Sequence, residues 1–247
     1  MDALRKLAEA LLALAAASPL IIAGLRGLPR TDQLKQLGWA TLVLLASYLA
    51  TNAPLVLEIS QPGGLYWNWL GKTACLLVLT LLICVLPSGT LQKSGLLRGP
   101  SRDSAWPIFA FVVLCGFLGW AAGIAPGVPA GIESLAFQSL MPSLAEEPVY
   151  RAILPALLST ALGSPWKIAG AQVGWWWLVC AMVFGAGHGI VWSSRDGLEF
   201  YAVPFVATGI IGLFFGWLAA RCLSVWPCVV CHSLINATGL SVAIMSK

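Results

Sequence analysis

Charge is what this sequence has least of. Of its 247 residues only 10% are Asp, Glu, Lys or Arg, against roughly 25% in a soluble domain. A soluble globule of this length could not cover its surface with so few charges, which excludes an ordinary cytosolic enzyme and a disordered chain. No excess of one sign is present either. The 14 basic and 10 acidic residues leave a net charge of +4, scattered along the chain, which excludes the basic footprint of a nucleic-acid binder. Seven cysteines are present. The odd count speaks against a full disulfide framework. Cys75, Cys84, Cys115, Cys180 and Cys228 lie in apolar runs, where a free cysteine acts as a small hydrophobe. There is no internal repeat and no low-complexity tract.

What fills the space is hydrocarbon. Apolar residues make up 59% of the chain, and the mean hydropathy is +0.85. This composition predicts an all-α, polytopic transmembrane helical bundle in a single integral membrane domain over 1–247, multi-pass, in the cell (inner) membrane. A crossing helix needs about 20 mostly apolar residues. The hydropathy pattern predicts about eight such spans, near 7–25, 37–57, 68–87, 107–126, 144–163, 174–192, 201–220 and 222–245. The first follows Arg5 and Lys6 and has the look of a signal peptide, but the hydrophobic spans that continue favour a retained helix. The longest polar interruption, 88–106, carries Lys93, Arg98 and Arg102 and reads as a surface loop.

Trp67, Trp69, Trp106, Trp166, Trp175, Trp176 and Trp177 fall at span edges, as an interfacial aromatic belt would. Gly119/Gly123 and Gly212/Gly216 fit close helix packing. With eight spans, the odd-numbered loops collect Arg26, Arg30, Lys35, Lys93, Arg98, Arg102, Lys167 and Arg221. The opposite side collects Arg5, Lys6, Lys72, Arg195 and Lys247. That bias predicts odd loops inside and both termini outside.

Ionisable groups inside spans cost about 2.5–3.5 kcal/mol each on insertion scales, so each is a functional candidate. Most acids, Glu9 among them, read as lying at span ends or in loops. The exceptions are Glu146 and Glu147, and both histidines of the chain, His188 and His232, fall within spans. In Glu146-Glu147-Pro148-Val149-Tyr150-Arg151, Glu147 and Arg151 are four apart on one helical face, in the favourable order for an ion pair. Glu146 points elsewhere, is left without that partner, and is free for chemistry. Pro148 suits a first helical turn, which predicts a helix start near Ser143 or Ala145 and carboxylates stabilised at a helix N-terminus.

In Phe184-Gly185-Ala186-Gly187-His188, Phe184 and His188 share a face, and the glycines admit another backbone or a substrate. In His232-Ser233-Leu234-Ile235-Asn236, His232 and Asn236 share a face. An Asn there can hold an imidazole tautomer or donate its amide to a carbonyl oxygen. Antiparallel fifth and sixth spans put Glu146 and His188 on one side of the bilayer, with His232 in reach. The blander reading of each motif alone is interhelical glue. Cys228-Val229-Val230-Cys231-His232 also fits the C-x-x-C-H pattern of haem attachment, but its thiols sit in an apolar span. A zinc site lacks a second cysteine pair at matching spacing.

Together the three motifs, E-E-x-x-x-R, F-x-x-x-H and H-x-x-x-N on separate helices, resemble the CPBP family of intramembrane proteases, which includes the type II CAAX prenyl endopeptidases. The motif-bearing protease core spans 140–240. The resemblance implies an eight-helix fold and peptide-bond hydrolysis in the membrane. It implies Glu146 as the base that activates water, His188 as its positioner, and His232 and Asn236 as oxyanion donors. Glu147 and Arg151 would support them, with Phe184 and Tyr150 at the substrate. The partners implied are a membrane-associated protein or peptide and the lipid bilayer, with no nucleic acid. The residues leave the cofactor open between none and a divalent metal. A divalent metal such as zinc would have Glu146, His188 and His232 as its ligands, yet H-E-x-x-H is absent and Asn236 suits an oxyanion better than zinc. Two other classes use the same residues: a non-catalytic bacteriocin-immunity or binding protein, and a proton-coupled transporter. The lack of an inverted repeat argues against the transporter.

Overall fold

A computed structural model describes residues 2–25, 30–122, 129, 131–193 and 197–245. It is a helical bundle. Helices α1 (Asp2–Gly24), α2 (Thr31–Val56) and α3 (Trp69–Ile83) come first. The short α4 (Thr90–Lys93) and then α5 (Ala105–Ala122) follow. The next rod is composite: α6 (Ile132–Glu147), a π-helical turn (Pro148–Ile153) and α7 (Leu154–Leu162). A two-stranded hairpin, β1 (Trp166–Ile168) and β2 (Ala171–Val173), leads to α8 (Trp175–Gly189). A second antiparallel hairpin, β3 (Ile190–Ser193) and β4 (Gly197–Phe200), leads to α9 (Ala202–Cys222) and α10 (Trp226–Met245).

Leu77, Leu81, Phe109, Phe117, Trp120 and Val203 are all exposed on the outside of the bundle. A surface so apolar is suited to lipid, where helices keep their backbone polar groups paired internally. Among the described residues, four helices are long and apolar enough to cross a membrane: Ala3–Gly24, Thr31–Val56, Arg102–Ala121 and Ala202–Cys222. Four of the eight expected crossings are thus met on length and hydropathy among the described residues. The spans expected at 68–87 and 174–192 are 15-residue helices, the second ending where β3 begins.

The fifth span corrects the sequence reading most. It starts at Ile132 rather than near Ser143, so the paired glutamates lie mid-rod and not at a helix N-terminus. The polar residues that made 132–143 read as a loop are satisfied by neighbours. Glu133 Oε1 accepts from Trp69 Nε1 at 2.7 Å, Ser134 Oγ accepts from Trp67 Nε1 at 2.8 Å, and the Ser143 and Ser233 hydroxyls meet at 2.8 Å. Trp67 stacks on Phe137, and Trp176 is buried, so these two are packing residues rather than belt residues. Pro148 is accommodated by the π turn. A proline has no N–H to give to the preceding turn, and the ladder widens until Leu154 N–H bonds the Val149 carbonyl five residues back. Such one-turn widenings recur at functional sites.

Helix packing rests on close approaches. A Cβ at Gly185 would lie 2.6 Å from the Phe205 carbonyl oxygen of α9, and one at Gly119 would lie 2.0 Å from Thr238 Oγ1 of α10. Gly212 and Gly216 lie against Ala181 and Trp177 of α8. Gly123 lies outside the described residues, as do Arg26, Arg195 and Lys247 of the basic count. Lys72 leaves that count, because it lies in α3. Cys228 and Cys231 are fully buried in a cluster with Cys115, Cys222 and Phe215. This is packing, and it leaves no access for haem attachment.

Gly187 differs from Gly185. A Cβ there would meet nothing nearer than the Tyr150 hydroxyl at 4.0 Å. Gly185→Val is therefore expected to lose about 1–3 kcal/mol of stability by overpacking, while Gly187→Ala stays near wild type. Thermal unfolding in detergent checks this, and equal losses would contradict the assigned faces.

Candidate active site

The two adjacent carboxylates face different partners. Glu147 is completely buried. Its Oε1 accepts a hydrogen bond from His232 Nδ1 at 2.7 Å, and its Oε2 lies 3.3 Å from Arg151 Nε, with both side chains fully buried. Arg151 in turn lies over the Phe184 ring, 4.4 Å from its centroid, a cation–π contact. The expected Glu147–Arg151 pair is therefore present. It is extended at one end by a histidine from α10 and at the other by an aromatic from α8. Phe184 is buried beneath Arg151, and Tyr150 packs edge-on against it at 5.1 Å.

Glu146 is not without a partner, as the sequence suggested. Its Oε1 lies 2.5 Å from Lys72 Nζ of α3. Lys72 owes its place to the start of α3. Asn68 caps that helix by accepting from Gly71 N–H and donates to the Thr51 carbonyl of α2 at 2.8 Å. Gly71 sits so close to α2 that a Cβ would fall 2.0 Å from the Thr51 oxygen. Pinned there, α3 presents the next residue, Lys72, to the glutamate. Charge compensation of the glutamates is thus by Lys72, Arg151 and His232 rather than by a helix terminus.

Both histidines are held by Nδ1. That of His188 donates to the Phe184 carbonyl at 2.8 Å, since a carbonyl only accepts. His232 donates to Glu147. In each case Nε2 is the nitrogen left to act. A cavity of about 340 Å³ gathers Lys72, Glu146, His188, His232 and Asn236 in one wall system, with Phe184 and the apolar side chains Ile211, Phe215 and Ile235 around them. Glu147 and Arg151 stand behind this wall. Tyr150 lines a neighbouring cavity that shares Glu146 and His188.

Among the described residues, no three His, Cys, Asp or Glu side chains are gathered as the ligands of a metal. Lys72 Nζ also sits against Glu146 Oε1, where a bound cation would be repelled. The donor set as arranged does not fit a divalent ion. The same donors suit acid–base work: a carboxylate beside an ammonium, two imidazoles with free Nε2, and one amide.

Two groups escaped the sequence reading. Lys72 lies in W-L-G-K-T-A-C-L, an ionisable residue inside an expected span. Counting cations with the acids and imidazoles would have found it. Glu9 is 3% exposed rather than a span-end acid. It accepts from Trp192 N–H at 2.6 Å, from Lys6 Nζ at 2.9 Å and from the Tyr48 hydroxyl. No short motif marks it.

A family model, described as type II CAAX prenyl endopeptidase Rce1-like, matches residues 129–238. This segment carries all three motifs, and over it the chain is similar to the Rce1-like family. The resemblance read from the motifs is thereby borne out. No curated protein and no solved structure matches the chain.

Removing one member of a buried ion pair strands the other and costs about 3–5 kcal/mol. Arg151→Met and Glu147→Gln are each expected to lose stability on that scale, and the double variant to lose clearly less than the sum. Additive losses in a thermal-unfolding cycle would contradict the coupling.

Proposed function

We propose that this chain is an intramembrane endopeptidase of the glutamate type, hydrolysing a peptide bond of a membrane-associated protein or peptide. The observation that carries this reading is the single cavity bordered by Glu146, His188, His232 and Asn236. A base, a water-orienting nitrogen and two oxyanion donors converge there on a space large enough for a peptide backbone.

In this mechanism a water lies between the Glu146 carboxylate and His188 Nε2. Glu146 takes a proton from the water as its oxygen bonds to the scissile carbonyl carbon, and His188 Nε2 accepts a hydrogen bond from the remaining O–H. The carbonyl oxygen becomes an oxyanion. Asn236 donates its amide N–H to it, and His232, protonated on both nitrogens, donates from Nε2. Glu147 accepts from His232 Nδ1, and Arg151 holds Glu147 in place. The intermediate collapses with rupture of the C–N bond, and Glu146 passes its proton to the leaving amine. The sum is one water and one peptide bond in, one acid and one amine out. Phe184 and Tyr150 act through packing, holding Arg151 and His188. The substrate class is a prenylated CAAX-type C-terminus or a comparable membrane-anchored tail, whose apolar anchor suits walls of Ile211, Phe215 and Ile235.

In membranes or detergent, Glu146→Gln is expected to lower kcat by more than about 10³-fold while the protein still accumulates, and Asn236→Ala to lower it about 10²–10³-fold. Full activity in Glu146→Gln would sink the mechanism. A chelator is expected to leave kcat/KM within twofold. Loss of activity restored by added zinc would assign the chemistry to a metal instead.

A further inference from the structure

The Lys72–Glu146 pair stands on a boundary. On one side is the cavity just described, walled by His232, Asn236 and apolar residues of α9 and α10. On the other is a second cavity of about 250 Å³, bordered by α1, α2 and α3 together with the α6 rod, α8 and β3, with Glu9, Ser47, Tyr48, Thr51 and Asn52 on its α1–α3 side. Lys72, Glu146 and His188 border both.

The two spaces differ in chemistry. The second carries hydroxyls, an amide, carboxylates and ammonium groups among apolar side chains such as Val149, Ile190 and Val191. The Ser47 hydroxyl on its wall is buried, and among the described residues it faces the Cys75 thiol with no oxygen or nitrogen partner. A buried polar atom in that state is met by water when the space is polar and roomy enough. A cavity of about 250 Å³ is roomy enough to admit water. The space is also closed in a defined way. Glu9 ties α1 to the Trp192 N–H of the β3–β4 hairpin, four residues beyond His188. Helices α1 to α3 lie outside the segment 129–238 that the family model matches.

We propose that water and peptide reach the site from opposite sides of this pair: water from the more polar cavity bordered by α1–α3, peptide from the cavity bordered by α9 and α10. In this arrangement Lys72 is the positioning residue that turns Glu146 to face both. The inference rests on the hydrolytic reading above. The water oxygen bonds the carbonyl carbon, its proton goes to Glu146 and then to the amine, and no other reactant is needed. Lys72 holds one carboxylate oxygen and leaves the second for the water.

Kinetics on an internally quenched peptide with a prenylated cysteine four residues from its C-terminus separate the two sides. Ser47→Leu fills the polar cavity, and Asn52→Leu makes its wall apolar at nearly constant size. Each is expected to lower kcat at least tenfold with KM within twofold. Ile235→Trp narrows the other cavity and is expected to raise KM at least tenfold. Lys72→Met is expected to lose kcat with KM unchanged, and Lys72→Arg to recover most of it. A raised KM in the Ser47 and Asn52 variants, or no change in either, would overturn the proposal.

A measurement independent of turnover is radiolytic hydroxyl labelling in detergent, which marks side chains beside bound water. Tyr48 and Cys75, both at the polar cavity, are expected to be labelled in the wild type and protected in Ser47→Leu. Protection of both residues in the wild type, while exposed Trp106 is labelled, would mean a dry cavity and overturn the proposal. Cleavage by Glu146→Gln would instead overturn the hydrolytic reading and leave the labelling result standing.

Discussion

A carboxylate sealed completely from solvent inside a membrane bundle is the constraint on which this structure depends. Glu147 has no exposed surface, and a lone charge at such depth is costly on any scale. It is tolerated because Arg151 lies one turn along the same rod and His232 reaches it from α10. The arrangement then propagates. Arg151 needs the Phe184 face beneath it, and the backbone carbonyl of Phe184 fixes His188. One buried charge thus orients two histidines on two different helices. Glu147 is buried against these partners, and its neighbour Glu146 is the carboxylate that borders the cavity.

The π turn makes this geometry possible. Pro148 directly after the glutamates cannot continue an ordinary hydrogen-bond ladder. Pro155 repeats the difficulty about two turns later. Between them the rod widens instead of breaking, and Tyr150 and Arg151 emerge from the widened part. The sequence reading treated Pro148 as the mark of a helix start, which is its commonest meaning. That placed the start a dozen residues late. The segment before it carries Glu133, Gln138 and Pro142, which interrupt its apolar run. Its polarity is absorbed by tertiary partners, Trp67, Trp69 and Ser233, and no local pattern reveals these.

The site itself was legible where chemistry is local. Glu147 with Arg151, Phe184 with His188, and His232 with Asn236 are each four apart, and helical spacing alone puts each pair on one face. What joins the pairs is long-range. The Glu147–His232 bond links residues 85 apart, and the Lys72–Glu146 contact links residues 74 apart. Sequence spacing could not assign which glutamate takes which histidine. Lys72 was hidden for a different reason: it falls close to a span edge, where a lysine ordinarily reaches out to water. Here the capped, glycine-tight start of α3 turns it inward. The N-terminal helices carry no motif, yet they supply the cation beside Glu146 and a polar wall behind it.

The central claim is that Glu146 directs a water molecule onto a peptide carbonyl. The most direct measurement is cleavage of a prenylated, membrane-anchored peptide in water enriched in oxygen-18, with mass spectrometry of the products. The account predicts that the newly formed carboxylate gains one heavy oxygen in the wild type and that Glu146→Gln yields no product. Labelled product from Glu146→Gln at the wild-type rate would contradict it.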